Sequence, residues 1–500
     1  MAQKVKKIVL AVFICFISFV VFAQVAQQKD PDVIYPKPFE TRNENLDFIF
    51  SNDEMSFITL QFTGSEWNTL LEYYDMNPKN ETCIHGDFIF TKGNYTWEIK
   101  DVGVRLRGNT SRVRPENVNK AGKHEYLQAH FKVDFEEWIS DDEPERRLAD
   151  CIKGLNLKRF KDDPTYVREV YGYDLFRKNG IWTAPRAGYT NVTIIIIDMD
   201  ENGTKKSTEV LNYGVYSMIE EINKQFLKAR TTSEKGGNLT SNKGDLWKCL
   251  WPAPLMPKVG NFGVEEVSLK EVESQRFSYD LKTNKEKLNS SADSFKVFME
   301  ELNSLKTDTP ENIAITKKWY EEKMDVDLFI KTYAINVLLG MWDDYWNNQN
   351  NYYLYFDNKG KVYFIPYDYD NILGVSIDKM DSGTQNPLKW GIFEVGKRPL
   401  MEKLLGVPEF NGKYRQYLLE LSNEDSFFTY SASIDRIKKW QTMVTPYIFS
   451  KNLTYKDTYK KIADFPAEWG TTGKYRLLSN SAKTNFFKVK AATIQKYCGE

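Results

Sequence analysis

Carboxylate and amide side chains are concentrated in one stretch of the chain, residues 343–370. The stretch contains two strand-like runs separated by a turn, and a two-stranded hairpin returns its ends close to each other. We therefore expect the oxygen atoms of Asp343, Asn348 and Asp368 to converge on one centre. Hard cations such as Mg²⁺ take carboxylate oxygens as ligands and keep waters or phosphate oxygens in their other positions. The stretch therefore predicts a metal-assisted reaction centre.

The spacing of Asp343 and Asn348, five residues apart, equals that of a protein-kinase catalytic loop. In that loop the Asp accepts the proton of the substrate hydroxyl and the Asn holds a metal ion, and Asp368 would match the second metal-binding Asp. Each piece alone has a simpler explanation, because Asp and Asn also cap helices and form turns. The segment 357–360, for example, predicts only the turn of the hairpin. The clustering of these residues favours the catalytic interpretation.

A second group of candidates lies earlier in the chain and would bind phosphate. Lys158 is on a predicted strand and Glu169 is on the helix that follows, as in the pair that directs an ammonium towards the nucleotide in protein kinases. An exposed lysine and a surface charge would have the same spacing. Lys132 and Lys248 are rivals for the phosphate role.

Three arginines are further candidates, because the guanidinium fork matches phosphate oxygens. Arg105 and Arg107 alternate with apolar residues and therefore share the polar face of one strand. Arg112 follows soon after. These arginines could equally pair with the acidic loop at 138–150. The chain contains no GxGxxG and no Walker lysine motif, so a nucleotide would need a different phosphate cradle.

The pattern of apolar residues predicts an α+β fold. Period-two alternation predicts strands in the first part of the chain, a helix is predicted from Asp163-Pro164 onwards, and helical spacing dominates beyond residue 291. The predicted organisation is a signal peptide (1–23), a linker (24–45), a β-rich lobe (46–230), an irregular insertion (231–290) and a helical lobe with the catalytic hairpin (291–500).

The first 23 residues have the layout of a secretory signal peptide, with three lysines before an apolar run from Ile8 to Phe22. The run is shorter than the roughly 20 residues that a membrane span needs. We therefore expect a secreted, extracytoplasmic protein with no membrane span in its mature chain. Four cysteines would remain, which permits two disulfides or free buried thiols. They are Cys83, Cys151, Cys249 and Cys498.

The composition excludes some classes of function. The 68 Lys and Arg residues nearly balance the 69 Asp and Glu residues, which gives no support to nucleic-acid binding. Only three His residues are present, and none sits in a recognisable zinc or hydrolase motif. Hydrophobic residues make up 41% of the chain, which is enough to build a large core.

Several sequence blocks resemble those of the spore coat protein H (CotH) kinase family and occur in the same order. The segment 102–112 reads VGVRLRGNTSR, and 155–158 reads LNLK ahead of YVRE at 166–169. The hairpin region is similar to the family in two further blocks, 343–355 with its NYYLY ending and 364–374 with FIPYDYDNILG. The resemblance covers roughly residues 45–495.

The resemblance implies an atypical protein-kinase-like fold with a β-rich N-lobe and a mainly helical C-lobe. It also implies transfer of phosphate from ATP to Ser or Thr of a secreted or surface protein, with Mg²⁺ or Mn²⁺. By this resemblance Asp343 is the catalytic base, and Lys158 meets phosphate while Glu169 orients it. The metal ligands would be Asn348 and Asp368, with Asn351 and Asp370 as alternatives; Arg107 and Arg112 are the further candidates for the nucleotide.

Two other hypotheses belong to different classes. Family members on fungal surfaces act as adhesins, so the chain could be a surface-binding protein that uses a kinase-like scaffold without catalysis. Alternatively, the segment 368–370, Asp-Tyr-Asp, could be the metal-nucleotide motif of a glycosyltransferase. Such a motif usually ends a strand of a nucleotide-binding α/β domain, which the antiparallel pattern of the first lobe does not supply.

Overall fold

Nine strands and four helices form the first half of the chain in the computed structural model, which describes residues 38–139, 147–265, 276–376, 381–391, 396–464 and 474–499. The strands are β1 (Ser56–Thr63), β2 (Ile84–Lys92), β3 (Tyr95–Leu106), β4 (Glu116–Val118), β5 (His124–Tyr126), β6 (Phe131–Asp134), β7 (Gly154–Arg159), β8 (Ala187–Met199) and β9 (Lys205–Glu220). The helices are α1 (Arg42–Phe50), α2 (Gly64–Met76), α3 (Arg168–Lys178) and α4 (Lys224–Lys228). The predicted signal peptide lies outside the described residues.

Seven of these strands close into a barrel in the order β1-β2-β3-β6-β7-β9-β8. Burial alternates along β1, whose Ile58, Leu60 and Phe62 are buried while the residues between them are more exposed. Neighbouring strands are antiparallel except for β1 and β8, which run parallel. The expected β-rich first part is present, but its closure into a barrel depends on pairings between distant segments.

Helix α3 begins later than the sequence predicts. Its N-cap is Val167, which makes no side-chain capping bond, and not Asp163. The Asp163 carboxylate nevertheless accepts hydrogen bonds from the backbone N–H groups of Val167 (3.0 Å) and Arg168 (2.9 Å). It therefore satisfies first-turn amides from outside the helix. Helix α1 also departs from the prediction, because it takes up residues 42–45 at the end of the expected linker.

The second half of the described chain is mainly helical. Its strands are β10 (Asp245–Cys249), β11 (Phe262–Gly263), β12 (Tyr279–Leu281), β13 (Tyr352–Phe356) and β14 (Val362–Pro366). Its helices are α5 (Leu288–Ser304), α6 (Pro310–Lys323), α7 (Val326–Leu339), α8 (Tyr345–Asn348), α9 (Pro399–Leu405), α10 (Pro408–Ser422), α11 (Tyr430–Ile448) and α12 (Phe486–Cys498).

The predicted hairpin is one edge of a five-stranded sheet with the order β11-β12-β10-β13-β14. Strand β10 pairs antiparallel with β13, which places Lys248 opposite Tyr353. The prediction that residues 231–290 are irregular is therefore wrong, because β10, β11 and β12 lie within them. These strands are two to five residues long, too short for alternation to identify from the sequence.

Helix α7 lies in the main hydrophobic core. Ten of its fourteen residues are buried, as expected for a helix that is hydrophobic all round. It ends at Gly340, whose φ of +70° is the left-handed conformation typical of a residue that stops a helix. The chain that leaves Gly340 leads directly into the acidic, Asn-rich stretch, so the buried helix anchors that stretch.

The four cysteines that the sequence analysis left open are all buried and free. Separately, no helix in the described part of the chain is both long and apolar enough to cross a membrane.

A buried ion-pair triad joins the end of β9 to the loops beside it. The carboxylate of Glu220 accepts hydrogen bonds from both Nη atoms of Arg230 (2.9 and 3.0 Å) and from the backbone N–H of Arg186 (3.0 Å). All three side chains are at least 94% buried. Burial by itself raises the pKa of Glu220, but Arg230 and Arg186 outweigh it and lower the pKa to about 2.

We expect Glu220→Gln to lower the free energy of unfolding at pH 7 by about 3–5 kcal/mol, because the buried guanidinium of Arg230 loses its anion and Arg186 keeps only the exposed Asp47 as an ion-pair partner among the described residues. The folded-state pKa is depressed, so the stabilisation is present above the ordinary carboxyl pKa and is lost as the pH falls towards 2. The difference between the two proteins should therefore be less than half as large at pH 3 as at pH 7. Urea unfolding at the two pH values measures it.

The control is Glu98→Gln, which removes a partly exposed ion pair with Lys100 and should change stability by about 0–1 kcal/mol at either pH. A Glu220→Gln effect of equal size at pH 3 and pH 7 would contradict the assignment of the charge.

Candidate active site

Three amide groups surround the carboxylate of Asp343. Its Oδ1 accepts hydrogen bonds from the Nδ2 atoms of Asn348 (2.6 Å) and Asn350 (3.0 Å), and its Oδ2 accepts one from Asn351 (2.9 Å). Gln349 and Asn351 have φ values of +56° and +54°, and this left-handed backbone turns the chain sharply after α8. The turn brings all three amides to the same side of the loop. Burial raises the pKa of Asp343, while the hydrogen bonds from the amides oppose the shift.

The neighbouring carboxylate, Asp344, has a structural role. It is the N-cap of α8, and its Oδ1 accepts from the backbone N–H of Asn347 (2.6 Å). Its Oδ2 accepts from Nδ2 of Asn336 on α7, whose Oδ1 in turn accepts from the hydroxyl of Tyr369 (2.7 Å). Asp344 is buried, and burial raises its pKa to about 7. It therefore fixes the loop to α7, and its carboxylate points into the protein.

Lys158 and the carboxylates after β14 form one cluster, called the Lys158 cluster below. The ammonium Nζ lies 2.7 Å from Oε1 of Glu169, 2.5 Å from Oδ1 of Asp368 and 3.3 Å from Oδ2 of Asp370. The structure thus brings together residues from β7, α3 and the segment that follows β14. The Lys–Glu contact, which could also have been two unrelated surface charges, is formed and buried.

One ammonium faces three carboxylates in this cluster, and the pKa shifts reflect the imbalance. Burial lowers the pKa of Lys158, but Asp368, Asp370 and Glu169 outweigh it and hold the pKa well above its ordinary value. Burial raises the pKa of Asp368, but Lys158 reverses the shift and lowers it. Burial raises the pKa of Asp370 to about 8. The negative charges of Asp368 and Glu169 add to this shift, because like charges disfavour the ionised form.

Helix α3 positions the segment that carries Asp368. The hydroxyl of Tyr173 accepts a hydrogen bond from the backbone N–H of Asp368 (3.0 Å). Gly172 allows the close approach, because a Cβ atom there would lie 3.2 Å from the Cβ of Tyr369. Arg168 adds a hydrogen bond from its Nε to the carbonyl of Ile372 (3.1 Å). The helix that supplies Glu169 therefore also fixes the position of the carboxylates that Lys158 contacts.

The predicted cations separate into two groups. Arg107 lies at the cluster, where its Nη2 donates to the hydroxyl of Tyr367 (3.2 Å). Arg112 does not, because its guanidinium is occupied by Glu81 and by the carbonyls of Gly108, Pro78 and Asn80. Arg105 also pairs with Glu81, and Lys132 pairs with Glu221 at 2.6 Å. Of the rivals for the phosphate role, only Lys248 is without an ion pair among the described residues.

The donor set fits a hard divalent cation in part. The half-buried Asp368 and Asp370 each give one oxygen to the ammonium of Lys158, and the other oxygen of each carboxylate makes no hydrogen bond with it. Asn348 and Asn351 give their Nδ2 atoms to Asp343, which leaves their amide oxygens for other partners. In the part of the chain that the structure describes, no group of three or more His, Cys, Asp or Glu side chains could enclose a metal ion. Mg²⁺ is usually held by one or two carboxylates together with substrate phosphates, and the arrangement here is of that kind.

Several residues that position the site were not found from the sequence. Tyr173 lies four residues after Glu169 on α3, so helical periodicity was a usable signal. Arg398 stabilises α8, because its guanidinium donates to the carbonyls of Trp346 (2.6 Å) and Asn347 (2.9 Å). It is separated from them by about fifty residues, and no local pattern reveals the contact. Asn336 likewise looks like an ordinary residue within an apolar helix.

Comparison with known proteins gives two findings. The family model described as CotH kinase protein matches residues 104–472, well over half of the chain, and this range contains the Lys158 cluster and Asp343. The chain is also similar to Spore coat protein homolog 1 of Rhizopus delemar (strain RA 99-880), with 22% identity over 309 residues. That alignment covers 58% of the chain and 43% of the relative, so it spans less than half of the relative's length.

We expect the stability of the protein to fall between pH 5 and pH 7.5 because of Asp344. Its folded-state pKa is raised above the ordinary carboxyl value, so its contribution is complete at low pH and is lost as the pH rises through 7. Asp344→Asn removes this titration while keeping the acceptor for the α8 cap. The unfolding free energy of the wild type, relative to the variant, should decrease by about 2 kcal/mol over this range, as measured by urea unfolding. Asp293→Asn, at an exposed position, is the control, and a constant difference for Asp344→Asn would refute the prediction.

Proposed function

Because the chain belongs to the CotH kinase protein family, we propose that it is a phosphotransferase that moves the γ-phosphate of ATP to a Ser or Thr hydroxyl of an extracytoplasmic protein. The observation that supports this most is the meeting of Lys158, Glu169, Asp368 and Asp370 in one cluster, with Asp343 within electrostatic reach of Asp368. In this proposal the barrel takes the part of a kinase N-lobe and the helical part that of a C-lobe.

Asp343 is the proposed base. Two amides occupy its Oδ1 and one occupies its Oδ2, so Oδ2 keeps a lone pair for a further donor. A Ser or Thr hydroxyl placed there would donate its proton to Oδ2 while its oxygen bonds to the γ-phosphorus. The bond from that phosphorus to the bridging oxygen of ADP breaks in the same displacement. The raised pKa of Asp343 makes it a better proton acceptor than an exposed carboxylate.

The remaining residues neutralise and orient the phosphates. A divalent ion, Mg²⁺ or Mn²⁺, held by Asp368 and Asp370 with the amide oxygens of Asn348 and Asn351, would supply charge stabilisation of the phosphoryl group. Lys158 adds one positive charge beside it, and Glu169 keeps that ammonium in place. Arg107 is the arginine proposed to meet phosphate. Arg112 instead stabilises the segment after β3, because its guanidinium already donates to Glu81 and to backbone carbonyls.

The location of the acceptor is proposed from two observations. The first 23 residues have the pattern of an export signal, and the curated relative is named as a spore coat protein homolog. Both favour an acceptor outside the cytoplasm, on a secreted or surface protein.

We expect Asp343→Ala to lower the rate of phosphoryl transfer at least about 100-fold, because it removes the proton acceptor. The unfolding free energy should fall by only about 1–3 kcal/mol, because the amide of the buried Asn351 loses its acceptor. Water can reach the half-buried amides of Asn348 and Asn350, so the variant should remain folded. The measurement is transfer from radiolabelled ATP to a Ser-rich acceptor by the mature protein, together with a melting curve.

The matched control is Asp293→Ala, which removes an exposed carboxylate far along the chain and should keep full activity. Transfer at the wild-type rate by a folded Asp343→Ala protein would show that this residue is not the base.

Nucleotide binding separates the enzyme from the non-catalytic adhesin. With Mg²⁺ or Mn²⁺ present, ATP at about 100 times its Kd should stabilise the folded protein by about 2.7 kcal/mol, which raises its melting temperature. Asp370→Asn should reduce the metal-dependent part of this shift, because it removes a charged oxygen ligand. If ATP does not shift the melting temperature of the wild type with either metal, the result would favour the non-catalytic adhesin over the enzyme.

A further inference from the structure

Lys248 carries a positive charge that no residue in the described part of the chain neutralises by direct contact. It lies on β10, is half-buried, and has its Nζ 5.2 Å from the centre of the Tyr367 ring. The other lysines near the site are occupied: Lys132 pairs with Glu221, Lys282 with Asp280, and Lys158 with three carboxylates.

Arg107 approaches the same tyrosine from the barrel. Its Nη2 donates to the Tyr367 hydroxyl, and it has no carboxylate within ion-pair distance in the described residues. Tyr353, opposite Lys248 in the sheet, packs its ring edge-on against Tyr367 with the ring centres 5.1 Å apart. Two cations, one directly after β3 of the barrel and one on β10, therefore contact Tyr367, which packs against Tyr353.

Burial lowers the pKa of Lys248, but Tyr367, Glu265, Asp280 and Glu81 outweigh it and raise the pKa. Tyr367, Asp368 and Glu169 do the same for Arg107. None of these carboxylates lies within ion-pair distance of either cation in the described residues, so direct contacts with an anion remain to be made. Withdrawing a cation from water costs free energy unless a counter-charge or hydrogen bonds replace the water. A phosphoryl group would supply both, since its oxygens match the guanidinium fork and also attract the compact charge of an ammonium. The hydroxyl of Tyr367, which accepts from Arg107, still has its own proton to donate.

The position of these cations indicates which phosphate they would meet. Asp368 lies within electrostatic reach of Lys158, Arg107 and Lys248, so the pair adjoins the proposed metal-binding carboxylates. The charge of Lys158 is already balanced by three carboxylates. Lys248 and Arg107 are therefore the cations beside these carboxylates that make no direct ion pair in the described residues, and each can still contact a phosphate oxygen.

We propose that Lys248, Arg107 and Tyr367 form a phosphoryl subsite that binds the polyphosphate chain of the nucleoside triphosphate beside Asp368. The proposal rests on the proposed function for the identity of the nucleotide, but the subsite itself requires only a polyphosphate anion. Lys248 would be the phosphate-binding lysine that no motif in the sequence marks.

The test is calorimetric titration of the whole mature protein with tripolyphosphate and, separately, with ATP, each in the presence of Mg²⁺. Lys248→Met should weaken the binding of both anions by about 10- to 100-fold, the usual effect of losing a charged hydrogen bond. Lys248→Arg, which keeps the charge, should restore most of the affinity. A melting curve for each variant checks the fold.

The matched control is Lys296→Met. That ammonium also lies over an aromatic ring, 5.8 Å from the centre of Phe262, but it is exposed and pairs with Asp293, so affinity should not change. The subsite is overturned if folded Lys248→Met binds tripolyphosphate as the wild type does, or if the wild type binds none.

The variant Asp343→Ala distinguishes a failure of the subsite from a failure of the proposed phosphotransferase function. It should bind tripolyphosphate normally, since the subsite does not include it. Binding that depends on Lys248 in a protein without any transfer activity would sustain the subsite and end the proposed function. Conversely, phosphoryl transfer that depends on Asp343, together with tripolyphosphate binding that does not depend on Lys248, would sustain the proposed function and rule out the subsite.

Discussion

The buried ammonium of Lys158 is the contact on which the candidate site depends. It joins a strand of the barrel to Glu169 on α3 and to two carboxylates that follow the hairpin. Removing one partner of a buried ion pair typically costs about 3–5 kcal/mol, because the other partners keep charges that they cannot solvate. The barrel, α3 and the Asp368 segment therefore meet at one buried charge, which adds to the hydrogen bonds that Tyr173 and Arg168 of α3 make with that segment.

The same contact leaves the site short of positive charge. Three carboxylates share one ammonium, and Asp343 stands close enough to interact with Asp368. Burial raises the pKa of Asp370, and the charges of Asp368 and Glu169 add to the shift. Such an excess of oxygen donors would suit the metal ion and nucleotide of the proposed function. Arg107 and Lys248 are the nearby cations that no carboxylate contacts directly in the described residues.

Asp343 and Asp344 are consecutive in the chain, but Asp344 has a structural role and Asp343 is the candidate base. Asp344 points back into the protein, caps α8 and bonds to Asn336 of the buried helix α7. That anchoring fixes the backbone on which Asp343 stands, so the three Asn amides can hold its carboxylate at the mouth of the site. The structural carboxylate is the more deeply buried of the two, and the candidate catalytic one remains accessible.

Local features of this site could be predicted from the sequence, because they depend on residues a few positions apart. The strand and turn patterns identify the hairpin, and the five-residue spacing of Asp343 and Asn348 places both in one loop. Contacts between distant segments could not be predicted: Lys158 and Asp368 are 210 residues apart, and nothing local distinguishes Arg107, which reaches the cluster, from Arg112, which does not. The barrel closure and the strands within 231–290 were missed for the same reason. Pairing and charge neutralisation between remote segments are decided by the packing of the folded chain, and the tertiary structure alone reveals them.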